Sequence, residues 1–95
     1  MPNDSILQDS KMCLICGTTK NLHCHHVYGG VAHRKISDKY GLTIYLCMDH
    51  HTGNNGIHRD YNLDLEIKRK CQLQAMSYYN WTIDDWFKIF RRSWI

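Results

Sequence analysis

Metal-ligand spacing constrains this chain more than any apolar pattern does. All seven histidines and four of the five cysteines fall between Cys13 and His58. Cys13-Leu14-Ile15-Cys16 offers two thiolates on one turn, and Cys47-Met48-Asp49-His50 offers a thiolate and an imidazole on another. Two such pairs complete a closed tetrahedral site of the structural zinc kind: Cys13, Cys16, Cys47 and His50. The interval from Cys16 to Cys47 is longer than a compact zinc ribbon needs, and it contains His25-His26. His25, His26 and His51 are then left over as a second, oxygen-tolerant cluster. The reverse partition, with His51 on zinc, stays open, although the spacing from Cys47 favours His50. The competing chemistry is a redox pair at Cys13 and Cys16, but the βαβ pattern expected beside one is missing.

A chain of 95 residues is expected to form one domain with a thin core that gains from a metal staple. A secreted disulfide scaffold is the other use of so many cysteines. It is disfavoured by the odd count and by cysteines interleaved with histidines at zinc spacing. Met1-Pro2-Asn3-Asp4-Ser5 lacks a basic segment followed by an apolar one. No apolar run approaches the roughly 20 residues that span a bilayer. The expectation is a soluble cytoplasmic protein with no membrane partner.

Net charge is +3, from twelve Lys/Arg against nine Asp/Glu. This mild bias is compatible with nucleic acid without identifying it. The basic residues gather at His33-Arg34-Lys35, Lys68-Arg69-Lys70 and Lys88 to Arg92. Arg34, Lys35, Arg69, Arg91 and Arg92 are the candidate phosphate contacts, with His33 as a candidate backbone contact. Solvated helix faces are the plainer reading of each cluster.

Residues 1–11 read as a flexible N-terminal tail, and residues 12–95 as a single domain: a metal-bearing core over 12–60 and a helical part over 61–95. Leu22 to Tyr28 alternates as a strand ending at Gly29-Gly30, and Leu42 to Cys47 is a second strand. Ala32 to Tyr40 is a short helix or a structured loop, closed by Gly41. Thr52-Gly53-Asn54-Asn55-Gly56 is a turn. Leu63, Ile67, Cys71, Ala75 and Tyr79 recur at helical spacing. Asn80 breaks that run, and Thr82 with Asp85 forms a capping-box start for a last helix. On it, Ile83, Trp86, Phe87, Phe90 and Trp94 make an aromatic stripe that serves either the core or a dimer or partner interface. Cys24 and Cys71 are expected to be buried small hydrophobes.

The combination of a zinc Cys-x-x-Cys, a His-His pair at a strand end and Leu-Cys-x-x-His followed at once by His resembles the HNH endonucleases. These belong to the ββα-metal (His-Me finger) superfamily. The subtype nearest in pattern has zinc knuckles flanking the motif, as in small phage endonucleases that cut branched DNA. The resemblance covers about residues 12–58. It implies an α+β fold, a small zinc-stapled ββα-metal core with two additional C-terminal helices. It also implies a metal-dependent DNA endonuclease or nickase that leaves a 5′-phosphate and a 3′-hydroxyl. His26 stands at the general base, and His25 and His51 at contacts to a catalytic divalent metal. That metal is Mg²⁺ or Mn²⁺, with Zn²⁺ and Ni²⁺ as further options.

His58 either adds a ligand, as in some members, or packs locally. His23 is either an exposed strand residue, a further ligand or a phosphate contact. The chain departs from the family where an Asn is often found before the second strand, having Tyr40-Gly41-Leu42 instead. It departs again after His51, where Asn54 or Asn55 is the remaining candidate contact. A phage or prophage origin, with the host cytoplasm as compartment, would fit the resemblance. The alternative function is a non-catalytic zinc-binding DNA or protein adaptor on the same fold.

Overall fold

The run Thr-Ile-Tyr-Leu-Cys is rich in β-formers, and it pairs with a histidine-rich strand. Leu22–His26 (β1) and Thr43–Cys47 (β2) form a two-stranded antiparallel sheet with His25 opposite Ile44 and His26 opposite Thr43. The computed structural model describes residues 5–95. The chain reads β1, α1 (Val31–Tyr40), β2, α2 (Met48–His51), α3 (Tyr61–Tyr79), α4 (Ile83–Phe90). It is a small mixed α+β fold with a two-stranded sheet and four helices. Among the described residues no helix is long and apolar enough to cross a membrane.

A lone pair of strands is marginal in water, so β2 needs cover on one face and along its outer edge. The face is covered by the core: Ile44 and Leu46, two residues apart on β2, are buried with Val27, Tyr28, Leu42 and Trp86. The edge is covered by the segment preceding the first cysteine pair. Ser5 Oγ donates to the Thr43 carbonyl at 2.6 Å, Gln8 Oε1 accepts from Tyr45 N at 2.6 Å, and Leu14 N donates to the Tyr45 carbonyl at 2.9 Å. Leu7 joins the core. Of the expected N-terminal tail, residues 5–8 make these contacts, whereas Asp9, Ser10 and Lys11 are exposed. Residues 1–4 of that tail lie outside the described residues.

The segment expected as helix or loop before Gly41 is helix α1. It ends at Gly41 in the left-handed conformation (φ 71°), which turns the chain straight into β2. Buried Ser37 donates to the Tyr28 carbonyl at 3.0 Å and ties α1 to the end of the hairpin. The first strand stops at His26, short of its expected end, because Tyr28 turns into the core. There its ring lies 4.9 Å from that of Phe90 and 4.6 Å from that of Trp94.

Helix α3 is capped at both ends: Asp60 accepts from Leu63 N, and Asn80 closes it in the left-handed conformation. The capping box at Thr82 and Asp85 forms, with Thr82 N donating to Asp85 Oδ2 at 2.9 Å and Asp85 N donating to Thr82 Oγ1 at 3.2 Å. The aromatic stripe divides. Trp86, Phe90 and Trp94 are core, whereas Ile83 and Phe87 remain 40 % and 45 % exposed. Buried Gln72 donates to Ser93 Oγ and accepts from Trp94 N, both at 2.8 Å, so the last residues return onto α3.

Candidate metal centres and the adjoining cleft

The four zinc candidates meet where the first turn packs on the β2–α2 junction. Cys13 N donates to the Thr18 carbonyl and Gly17 N to the Cys13 carbonyl. Gly17 takes φ 77°, and the loop doubles back so that both thiols face one point. Cys47 precedes α2 and His50 lies one helical turn on, so their side chains share a face. Cys13, Cys16, Cys47 and His50 each bring one ligand atom into a common cluster whose atoms all lie within 4.8 Å.

The geometry fits tetrahedral zinc. Bonds of about 2.3 Å to sulfur and about 2.0 Å to nitrogen place two sulfurs about 3.8 Å apart and a sulfur and nitrogen about 3.5 Å apart. Cys16 Sγ and Cys47 Sγ are 3.8 Å apart, and His50 Nδ1 is 3.8 Å from Cys13 Sγ and 3.2 Å from Cys47 Sγ. A disulfide would need about 2.05 Å, and all five cysteines are free. Burial opposes ionisation of the Cys13 thiol. The Cys16, Cys47 and Ile15 N–H groups and the Cys16 thiol outweigh it, and the thiol's pKa falls from 9.0 to about 6. Against the Thr18 N–H, which favours the thiolate, desolvation and the neighbouring Cys13 and Cys47 thiols push that of Cys16 up instead, so in the metal-free protein the first thiolate resides on Cys13. The four residues lie close enough together to hold a metal such as zinc.

The second cluster is His25, His51 and His58, again with ligand atoms within 4.8 Å of one another. His25 comes from β1 and His51 from the end of α2. His58 arrives through the Thr52–Gly56 turn. A Cβ on Gly53 would lie 2.7 Å from Asp49 Cα, and one on Gly56 would lie 2.6 Å from the His51 carbonyl oxygen. Only glycine lets the loop fold back this tightly, and Ile57 N then donates to the His50 carbonyl at 3.0 Å. His51 Nε2 and His58 Nε2 stand 3.2 Å apart. Cis ligands of an octahedral ion with bonds of about 2.1 Å are about 3.0 Å apart, and tetrahedral ones about 3.4 Å. The gap admits either geometry.

Two of the three rings are tuned to donate lone pairs. Burial, together with the neighbouring His51, His58 and Lys68, lowers the His25 pKa from 6.5 to about 3. Burial, His58 and His23 lower that of His51 as well. Both shifts favour the neutral imidazole, the form a cation needs. His23 Nδ1 lies 2.9 Å from His51 Nδ1, on the side of the His51 ring away from His58. Asn55 is spent elsewhere: its amide donates to Asp49 Oδ2 at 3.2 Å.

His26 makes a contact that nothing in the spacing suggested. Its Nε2 lies 2.5 Å from Asp38 Oδ1 of α1. His26, His25 and His58 line one cleft of about 340 Å³, together with Arg59, Tyr61, Asp64 and Lys68. Lys68 Nζ is held 2.8 Å from Asp64 Oδ2 one turn earlier on α3.

The expected phosphate contacts lie elsewhere. Arg34 and Lys35 are exposed on α1, and Arg91 is exposed at the end of α4. Arg69 Nε donates to the Trp94 carbonyl at 2.9 Å, and the Arg92 guanidinium lies 4.6 Å from the Trp94 ring centre. These two hold the C-terminal segment. His33 is half-buried, its Nε2 donating to the Phe90 carbonyl at 2.9 Å. Cys24, expected buried, is exposed, because the outer face of β1 is not covered. Cys71 is buried as expected, and burial pushes its thiol up to about 12.

Arg59 and Lys68 are thus cleft cations absent from the expected set. Lys68 carried a signal, since it shares a helix face with Tyr61 and Asp64 at i, i+3 and i+7. No protein-family model matches the chain, no curated protein matches it, and no solved structure matches it.

Proposed function

We propose that this chain is a metal-dependent DNA endonuclease or nickase of the HNH type, working in the cleft lined by His25, His26 and His58. The observation that carries the reading is the convergence on one cleft of two groups. One is His25 and His58, two members of the three-histidine cluster; the other is His26, a separate histidine paired with the Asp38 carboxylate. A strand bearing His25-His26, a second strand, and a helix ending in His51 follow the order that the ββα-metal resemblance implies.

In this reading Cys13, Cys16, Cys47 and His50 hold structural zinc, which pins α2 to the sheet and so fixes His51. His25, His51 and His58 hold a divalent cation. When bound, it supplies Lewis-acid polarisation of the scissile phosphate and charge opposite the departing 3′-oxygen. Donation of Nε2–H to Asp38 leaves the His26 lone pair on Nδ1, and that nitrogen takes the proton of the attacking water. Water oxygen joins phosphorus, the bond from phosphorus to the 3′-oxygen breaks, the departing oxygen takes a proton from solvent water, and the strand ends as a 5′-phosphate and a 3′-hydroxyl. Lys68 and Arg59 contact phosphates flanking the cut and position the strand without reading its sequence.

A supercoiled-plasmid assay with the zinc-loaded protein tests the activity. Nicking that appears on adding Mg²⁺ or Mn²⁺ and stops with excess chelator is expected. No cleavage with any divalent ion would overturn the proposal in favour of a zinc-stapled adaptor.

A further inference from the structure

The cation at His25, His51 and His58 needs the lone pair of each ligand atom, and a neutral imidazole has only one to give. His51 Nε2 faces His58 Nε2, so Nε2 is the ligand atom of His51 and its proton must reside on Nδ1. That Nδ1 lies 2.9 Å from Nδ1 of His23, with the two rings edge-on at 83°. Two ring nitrogens at this distance hold one proton between them: two protons would collide, and two lone pairs would repel.

We infer that His23 is a positioning residue. It accepts the Nδ1–H of His51, fixes the ring in the Nε2-ligating tautomer and aims it at the cation. His23 itself is not a ligand. The backbone makes this partnership possible, since His23 and His25 lie two residues apart on β1 and share a face. One strand thus delivers a ligand, His25, and the orienter of a second ligand, His51. Such outer partners commonly carry about 10- to 100-fold of a site's metal affinity.

The inference rests on the three-histidine set taking a divalent cation, and the test keeps the two apart. Mn²⁺ is titrated into zinc-loaded protein at fixed pH and free Mn²⁺ is counted by its paramagnetic resonance. Mn²⁺ prefers nitrogen and oxygen donors and leaves the thiolate-rich site to zinc. His23→Leu is expected to weaken Mn²⁺ binding about 10- to 100-fold. His23→Asn, whose Oδ1 falls near the place of the histidine Nδ1, is expected to bind close to wild type. Ring-nitrogen resonances should show His51 as the Nδ1–H tautomer in wild type and in His23→Asn, but as a mixture in His23→Leu.

Equal affinity in His23→Leu and wild type would overturn the positioning role. Equal losses in His23→Asn and His23→Leu would overturn it too, and would make His23 a ligand. Wild-type protein that binds no Mn²⁺ while retaining zinc would overturn the metal reading of the cluster, and this inference with it.

Discussion

Asp38 accepts a hydrogen bond from His26 Nε2 at 2.5 Å, so a residue in the last turn of α1 decides which nitrogen of the strand histidine is left free. The contact links α1 to the proposed base. If His26 is the base, Asp38→Ala frees the ring to rotate away from the attacking water. Turnover in strand nicking should fall about 100-fold, as misplacement of a catalytic group by about 1 Å does, with KM little changed. Asp38→Asn keeps an acceptor oxygen and should recover part of the loss. Steady-state kinetics of the two variants check this; equal kcat in Asp38→Ala and wild type would count against the role.

Acid should weaken the fold through the half-buried His25. The pKa of His25 is about 3 in the folded protein against 6.5 ordinarily, so below pH 6.5 the unfolded chain takes up a proton that the folded one refuses. The stability associated with its neutral form is complete above pH 6.5 and drains away as pH falls toward 3. Urea midpoints of wild type should therefore drop more steeply between pH 6.5 and 5 than those of His25→Leu. Parallel slopes would show that His25 titrates normally.

Loss of the zinc staple should cost the fold itself. Structural zinc contributes an apparent ~10–16 kcal/mol, comparable to or greater than the whole net stability of an ordinary domain. Cys13→Ser protein should lack zinc by elemental analysis and show an unfolded circular-dichroism spectrum. Cys24→Ser should keep both zinc and fold, since Cys24 is exposed and outside the cluster.

How much of this was legible beforehand follows from what each feature depends on. The quartet of Cys13, Cys16, Cys47 and His50 was legible because tetrahedral zinc is served by local pairs, and each pair sits within one turn. The capping box at Thr82 and Asp85 was legible for the same reason. His58 was ambiguous because its place depends on Gly53 and Gly56 folding the loop against the backbones of Asp49 and His51, a close approach that spacing does not encode. Asp38 and His23 were not assigned because their partners come from other elements, and a register or a helix direction decides those meetings. The edge contacts of Ser5 and Gln8 with β2 were not legible, because the polar composition of the N-terminal segment hides the need of β2 for an edge partner.

The same logic reassigns the basic residues. Lys68 and Arg59 line the cleft, whereas Arg69 and Arg92 hold the C-terminal segment at Trp94. Lys68→Ala and Arg59→Ala should each weaken DNA binding irrespective of sequence and reduce the salt-dependence slope by about 1. Arg69→Ala should instead lower the melting temperature and leave the slope near wild type. Fluorescence anisotropy over a salt series, paired with thermal melts, separates the two behaviours.

The central claim is that His26 performs proton transfer beside a separately assembled cation site. Single-turnover nicking by His26→Ala tests it most directly, with zinc content and Mn²⁺ affinity measured on the same preparation. The account predicts both metals bound as in wild type and cleavage reduced at least about 100-fold, the usual contribution of a general base. Cleavage at the wild-type rate by fully metal-loaded His26→Ala protein would contradict it.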